Sequence, residues 1–135
     1  MWVVDTCVVI DVLEHDPAFG LSSAKCLEKL LRDGLCVSPV TMVELSAAFG
    51  GDLAEQKRFL DMAGVSYAEP WRASDTEATH RAWNDYVQAR RAANVPKRPV
   101  ADILIGGFAQ NRRGLVTRNP KDFQRWFPKL AIREP

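Results

Sequence analysis

Four carboxylates in this 135-residue chain stand where chemistry is expected: Asp5 in WVVDTCVVID, Glu44 in VSPVTMVEL, Asp102 in RPVADILIGG and Asp122 in LVTRNPKDF. Asp5, Glu44 and Asp122 follow short apolar runs, and Asp102 opens a helix after a proline. In a chain that alternates strand and helix, strand ends and helix starts share one edge of the sheet, and ligands bind there. Four acids converging on one spot repel one another in a low-dielectric cleft. A hard divalent cation such as Mg²⁺ or Mn²⁺, taking oxygen ligands, resolves that conflict. The spacing therefore points to metal-dependent hydrolysis.

Each acid also has an ordinary structural explanation. Asp5 can cap the helix that follows it. Glu44 stands three residues after Thr41 and could complete a capping box. Ser38-Pro39 is the better helix start, however, which places Glu44 inside the helix among Val43, Leu45 and Ala47. Asp102 lies in a first helical turn, where the helix dipole favours acids, but its neighbours are nearly all apolar, and an acid there needs a partner. Asp122 follows Asn119 at first-turn spacing. Capping explains each position singly; four at one edge ask for more. Thr6, Thr117 and Asn119 are placed to supply hydrogen bonds around the group, or simply to shape the turns. Asp11 and Glu14 read as solvent-facing, His15 and His80 as surface or loop residues, and the four tryptophans as core or interface.

The elements that must position these residues alternate. Trp2–Val4, 35–37, 65–67, 115–117 and 130–132 read as short strands. Helices are predicted from Thr6 to Leu13, from a cap at Ser22 or Ser23 to Asp33, from Ser38 to Phe49, and from a cap at Asp52 to Gly64. Three more follow: from a cap at Ser74 or Asp75 to about Ala93, from Ala101 to Asn111, and a short one after Asn119-Pro120. Residues 94–99 form a proline-bearing loop. Connections are short and no linker or repeat interrupts them, so residues 1–135 read as a single domain. Such alternation predicts a parallel α/β sheet with helices on both faces.

Length and composition (47% hydrophobic, 26% charged) fit an ordinary globular domain with a real core. No apolar run approaches the roughly 20 residues that cross a bilayer, and MWVVDTC lacks the basic start of a signal peptide. Cys7, Cys26 and Cys36 are an odd number without metal-type spacing, which fits free thiols in the cytoplasm; Cys7 and Cys36 read as small core residues. The net charge of +1 hides an asymmetry. Residues 1–80 hold 6 Lys/Arg against 13 Asp/Glu, net −7, and residues 81–135 hold 12 against 4, net +8. That polarity suggests a polyanion held near an acidic site, although lysines and arginines also simply solvate helix surfaces.

The segments VVDTCVVID, SPVTMVEL, RPVADILIGGFA and LVTRNPKDF, in this order and over nearly the whole chain, resemble those of PIN-domain ribonucleases, above all the VapC-type toxins of bacterial toxin–antitoxin systems. The resemblance implies an α/β/α sandwich with a five-stranded parallel sheet. It implies metal binding by Asp5, Glu44, Asp102 and Asp122, with Thr117 and Asn119 as polar residues beside the metal. It also implies a homodimer and inhibition by a small antitoxin protein. The expected reaction is hydrolysis of RNA by a metal-activated water, leaving 5′-phosphate and 3′-hydroxyl ends, with Arg98, Arg112, Arg118 and Lys121 as candidates for flanking phosphates. No histidine pair suited to metal-free acid–base cleavage is visible. Two other readings remain. A phosphatase or phosphotransferase of the haloacid-dehalogenase kind also places an Asp after the first strand, but it wants a second Asp where Cys7 stands. A scaffold with this fold would bind RNA or protein without catalysis.

Overall fold

Five short apolar runs become strands of a single sheet: β1 (Trp2–Val4), β2 (Leu35–Cys36), β3 (Val65–Ser66), β4 (Gly114–Val116) and β5 (Ile132–Arg133). The computed structural model describes residues 1–93 and 95–135, so Asn94, at the start of the proline-bearing loop, lies outside it. The strands pair in the order β3-β2-β1-β4-β5, and every pair is parallel. Parallel neighbours need crossovers, and the helices α1 (Thr6–Leu13), α2 (Gly20–Leu30), α3 (Pro39–Glu44), α4 (Leu53–Met62), α5 (Ala73–Ala92), α6 (Val100–Gln110) and α7 (Lys121–Gln124) provide them.

Side chains alternate across a strand, and the two faces carry separate cores. Trp2 and Val4 of β1 pack with Val8, Val9, Leu27, Leu35 and Leu60 under α1, α2 and α4. Val3 points the other way and packs with Cys36, Ile105, Phe108, Ala109, Leu115 and Phe123 under α6 and α7. Burying one such Val, Leu or Phe is worth about 1.5–3 kcal/mol, so neither face can be left open. This is the α/β/α layering expected from the sequence.

The Gly106-Gly107 pair within α6 has a packing reason. A Cβ on Gly106 would strike the Phe127 ring, and one on Gly107 would strike the Thr79 side chain of α5. Glycine here costs helix propensity of about 1 kcal/mol per residue but lets α6 lie directly against α5. Beside this contact a buried ion cluster ties the two helices to the loop before them. Arg112 donates to Asp75 Oδ1 (2.9 Å), to the Phe108 and Pro70 carbonyls (2.6 and 2.9 Å) and to Glu69 (3.3 Å). Asn111 also donates to Asp75 (2.9 Å). Burial pushes the Asp75 carboxyl up, but these donors and the Arg72 N–H outweigh it and hold it below the usual carboxylate range.

Several boundaries differ from expectation, each for a local reason. Helix α2 starts at Gly20 rather than at a serine cap, because Asp16 Oδ1 accepts the N–H groups of Ala18 and Phe19 (both 2.9 Å) and turns the chain earlier. Ser23 is buried within the helix. The helix expected from Ser38 to Phe49 breaks after Glu44, and Ala47–Phe49 is a separate 3₁₀ turn. Helix α5 starts at Ala73 with Arg72 as its N-cap, two residues ahead of Ser74, the earlier expected cap, its Asp75 accepting the Arg72 N–H at 2.9 Å. The last strand sits at Ile132–Arg133, two residues beyond the expected start, and pairs at the edge with β4. No described helix is long and apolar enough to cross a membrane.

Candidate active site

The strand order sets the site. The chain builds outward from β1 through β2 to β3, then reverses to the other side of β1 with β4 and β5. The crevice between the carboxyl ends of β1 and β4 is thus a topological switch point, where open α/β sheets bind ligands. Asp5 follows β1 and Thr117 follows β4, and the Thr117 hydroxyl donates to Asp5 Oδ2 across the crevice at 2.7 Å. The Asn119 N–H donates in turn to Thr117 Oγ1 (3.1 Å), fixing that hydroxyl's direction.

Asp5 is only 6% exposed. It caps α1 through Oδ1, which accepts the Thr6 N–H at 2.8 Å, and the Cys7 thiol donates to Oδ2 at 3.4 Å. A carboxylate has about four acceptor positions, and three are used by these donors. Burial pushes Asp5 above the usual carboxylate range, helped by the charge of Glu44, while its hydrogen bonds to Thr117, Cys7 and Thr6 oppose the rise. Cys7 is therefore not a bystander of the core, as its apolar sequence context suggested. Burial and the Asp5 charge push its thiol up to about 12, so it acts as a donor and not as a nucleophile.

Glu44 ends α3 and is exposed, which removes the sequence argument that it is an acid in an apolar helix interior. Its position is instead set by hydroxyls. Ser38 caps α3 by accepting the Thr41 N–H (3.0 Å), its hydroxyl lies 3.2 Å from that of Thr41, and Thr41 lies 3.0 Å from Thr6 Oγ1. Thr6 Oγ1 is 2.7 Å from Glu44 Oε1. A carboxylate only accepts and each hydroxyl has one proton, so the chain runs one way: Ser38 to Thr41, Thr41 to Thr6, Thr6 to Glu44. Thr6 thereby links Asp5 through its N–H and Glu44 through its hydroxyl. Thr41 and Ser38 are fully buried. The sequence reading gave them only capping roles, although a run of small hydroxyl residues after a buried strand could have signalled more.

Asp102, in the first turn of α6, is half-buried. Burial, then the charges of Asp5, Asp122 and Glu44, push its carboxyl up to about 6, while Arg98 pulls the other way. Asp102 thus feels the charge of each of the other three acids. Asp122, in the first turn of α7, pairs with Arg98 at 2.8 Å. Asn119 reaches toward Cys7 (3.8 Å) rather than toward a carboxylate, and the cap of the short helix is Pro120.

The donor set is carboxylate and hydroxyl oxygen, which fits a hard divalent cation, and Asp5 Oδ1 retains an acceptor position. Among the described residues, no three His, Cys, Asp or Glu side chains are drawn together into a ready ligand shell.

Two expectations fail. Asp11 does not face solvent: it is 3% exposed and accepts two hydrogen bonds from Arg118 (2.8 and 3.3 Å), tying α1 to the loop after β4. Arg112 cannot serve a substrate phosphate, because its side chain is 4% exposed and held by Asp75 and Glu69. Arg118 is likewise engaged by Asp11. Lys121 is exposed at the start of α7. Two surface cavities, about 530 Å³ between α2 and the end of β5 and about 410 Å³ beside Trp71 and Trp83, include none of the four acids.

A parallel sheet with helices on both faces and an acidic cleft at its switch point defines an α/β fold of the PIN-like kind. No protein-family model matches the chain, and no curated protein matches it in sequence. Solved structures do: the chain superimposes with a TM-score of 0.71 on a chain in the crystal structure of VapBC2 from Rickettsia felis bound to a DNA fragment from their promoter. The match covers 98% of this chain and 97% of that one at 18% sequence identity, which establishes a shared fold.

Proposed function

We propose that this protein is a metal-dependent endoribonuclease that acts as the toxin of a toxin–antitoxin pair. The observation that carries the reading is the gathering of Asp5, Glu44 and Asp122 around the half-buried Asp102 at the switch point, where burial and then their charges push Asp102 up to about 6. The fold shared with a chain of the VapBC2 complex supports the toxin role and a small antitoxin protein as partner.

Asp5, Glu44, Asp102 and Asp122 would hold Mg²⁺ or Mn²⁺. When bound, the ion would activate water and neutralise charge developing on a phosphodiester. The protein's own groups prepare that site. Thr117, Thr6 and Cys7 fix both oxygens of Asp5. The hydroxyl chain from Ser38 orients Glu44. Pro99 places Asp102 at the first turn of α6, where the helix dipole offsets part of its charge. Such preorganisation holds Asp5 and Glu44 in fixed orientations and reduces what must rearrange there during reaction.

The test is incubation of antitoxin-free protein with total bacterial RNA and Mg²⁺ or Mn²⁺, beside EDTA, Asp5→Asn and Asp102→Asn controls. Discrete fragments with 5′-phosphate ends, lost in all three controls, are expected. Hydrolysis of small phosphate esters with RNA left intact would make the protein a phosphatase or phosphotransferase. RNA or protein binding without cleavage of either substrate would make it a scaffold.

A further inference from the structure

Arg98 is, among the described residues, the one cation in an ion pair with any of the four acids. Its guanidinium Nη2 lies 2.8 Å from Asp122 Oδ1, and the two side chains remain 30% and 27% exposed. Such a pair is open to solvent and contributes little to stability, yet the backbone beneath it is held firmly. The Arg98 N–H donates to the Tyr86 hydroxyl at 2.7 Å. Tyr86 is buried and packs against Trp83 and, edge-on, Trp126. Arg90 holds the same loop by donating to the Val95 carbonyl at 2.8 Å. Pro99, the next residue, is the N-cap of α6, so the loop that fixes Arg98 also fixes Asp102. A backbone anchored at Arg98 thus carries a loosely paired, solvent-open guanidinium at the rim of the acidic cleft.

We propose that Arg98 is a substrate-positioning residue that serves as the cleft's own counter-cation until a divalent ion takes Asp122, and then turns to a phosphate of the bound strand. The proposal rests on the metal-nuclease reading above. A divalent ion on Asp122 would repel the guanidinium and draw charge from the carboxylate that Arg98 holds through Oδ1 alone, so the two cations compete for one group. Once displaced, the side chain stays at the cleft because its anchor is the backbone N–H, not the ion pair. Its planar fork matches two non-bridging phosphate oxygens. Arg112 is buried and held by Asp75 and Glu69, and Arg118 is held by two hydrogen bonds to the buried Asp11.

The test compares wild type with Arg98→Gln and Arg98→Lys, which keep the backbone anchor. Mn²⁺ binding is measured by calorimetry without RNA, and cleavage of a short oligoribonucleotide is measured at saturating Mn²⁺. With the competitor removed, Arg98→Gln is expected to bind Mn²⁺ about three- to ten-fold more tightly and to show a KM raised about ten-fold or more. Arg98→Lys should recover part of the KM and restore the weaker metal affinity. Unchanged Mn²⁺ affinity and unchanged KM in Arg98→Gln would overturn the proposal. A lowered melting temperature with kcat and KM both impaired and no rescue by lysine would also overturn it, by making Arg98 structural. If wild type itself bound no Mn²⁺, the metal-nuclease reading would fall first.

Discussion

Asp102 carries the strain of the site. Its folded pKa of about 6 lies above the ordinary aspartate value of about 3.9, so the folded protein binds that proton more tightly than the unfolded chain. Its contribution favours folding below about pH 4 and is lost as pH rises through about 6. In metal-free protein at pH 7.5, Asp102→Asn should therefore raise the melting temperature by a few degrees, on the order of 1 kcal/mol after solvent screening. The gain should vanish by about pH 3, where the carboxyl is protonated in both states. Mn²⁺ should raise the melting temperature of the wild type more than that of the variant. An Asp102→Asn melting temperature below wild type at both pH values, read by calorimetry, would contradict this. At this scale the positions of Asp5, Asp102 and Asp122 could be read because each stands at a strand end or a helix start, whereas Glu44 closes α3. Arg98, Cys7 and Asp11 were not. Their partners Asp122, Asp5 and Arg118 lie 24, 2 and 107 residues away in sequence, and nothing in spacing tells an arginine that pairs from one that solvates.

Between elements, the closest constraint is the approach of α6 to α5. Gly107→Ala gains about 1 kcal/mol of helix propensity but drives a methyl into Thr79, and overpacking of this kind costs typically 1–3 kcal/mol. The expected outcome is net destabilisation in a denaturant titration with the m-value unchanged, partly relieved in the double variant Gly107→Ala/Thr79→Ala. Because α6 also carries Asp102, the single variant should lower Mn²⁺ affinity as well. A neutral Gly107→Ala would mean that the helices separate without cost. Strand and helix alternation, and hence the layers, could be read from the sequence, because apolar runs bounded by Pro, Gly and Asp leave few other folds. Helix ends could not always be read. The α2 start depends on Asp16 turning the chain before the serines, and the break after Glu44 depends on Ser46 and Gly51 closing a turn (2.8 Å).

The charge asymmetry takes a different meaning in the whole molecule. Arg112 pairs with Glu69 and Asp75, Arg113 with Asp33, and Arg118 with Asp11. Each joins the basic half to the acidic half, so part of the excess is spent holding the chain's two halves together. What remains for a polyanion is the exposed set, including Arg90, Arg91, Lys97, Lys121, Arg125 and Lys129. Apolar surface is also left over: Leu21, Val43, Leu53 and Met62 are exposed on the helices of the first half. We expect these to be covered in a homodimer and by the antitoxin, so gel filtration at micromolar concentration should give about twice the 15.1 kDa chain mass; a monomer with and without antitoxin would count against it. The Thr117–Asp5 bond joins positions 112 residues apart, with Asp102 and Asp122 on the same late stretch of chain. Translation delivers Asp5 and Glu44 well before Asp102, Thr117 and Asp122, so half of the acidic cluster and the strand that docks Asp5 reach the fold late. Any truncation before β4 therefore leaves a polypeptide that cannot assemble the cleft.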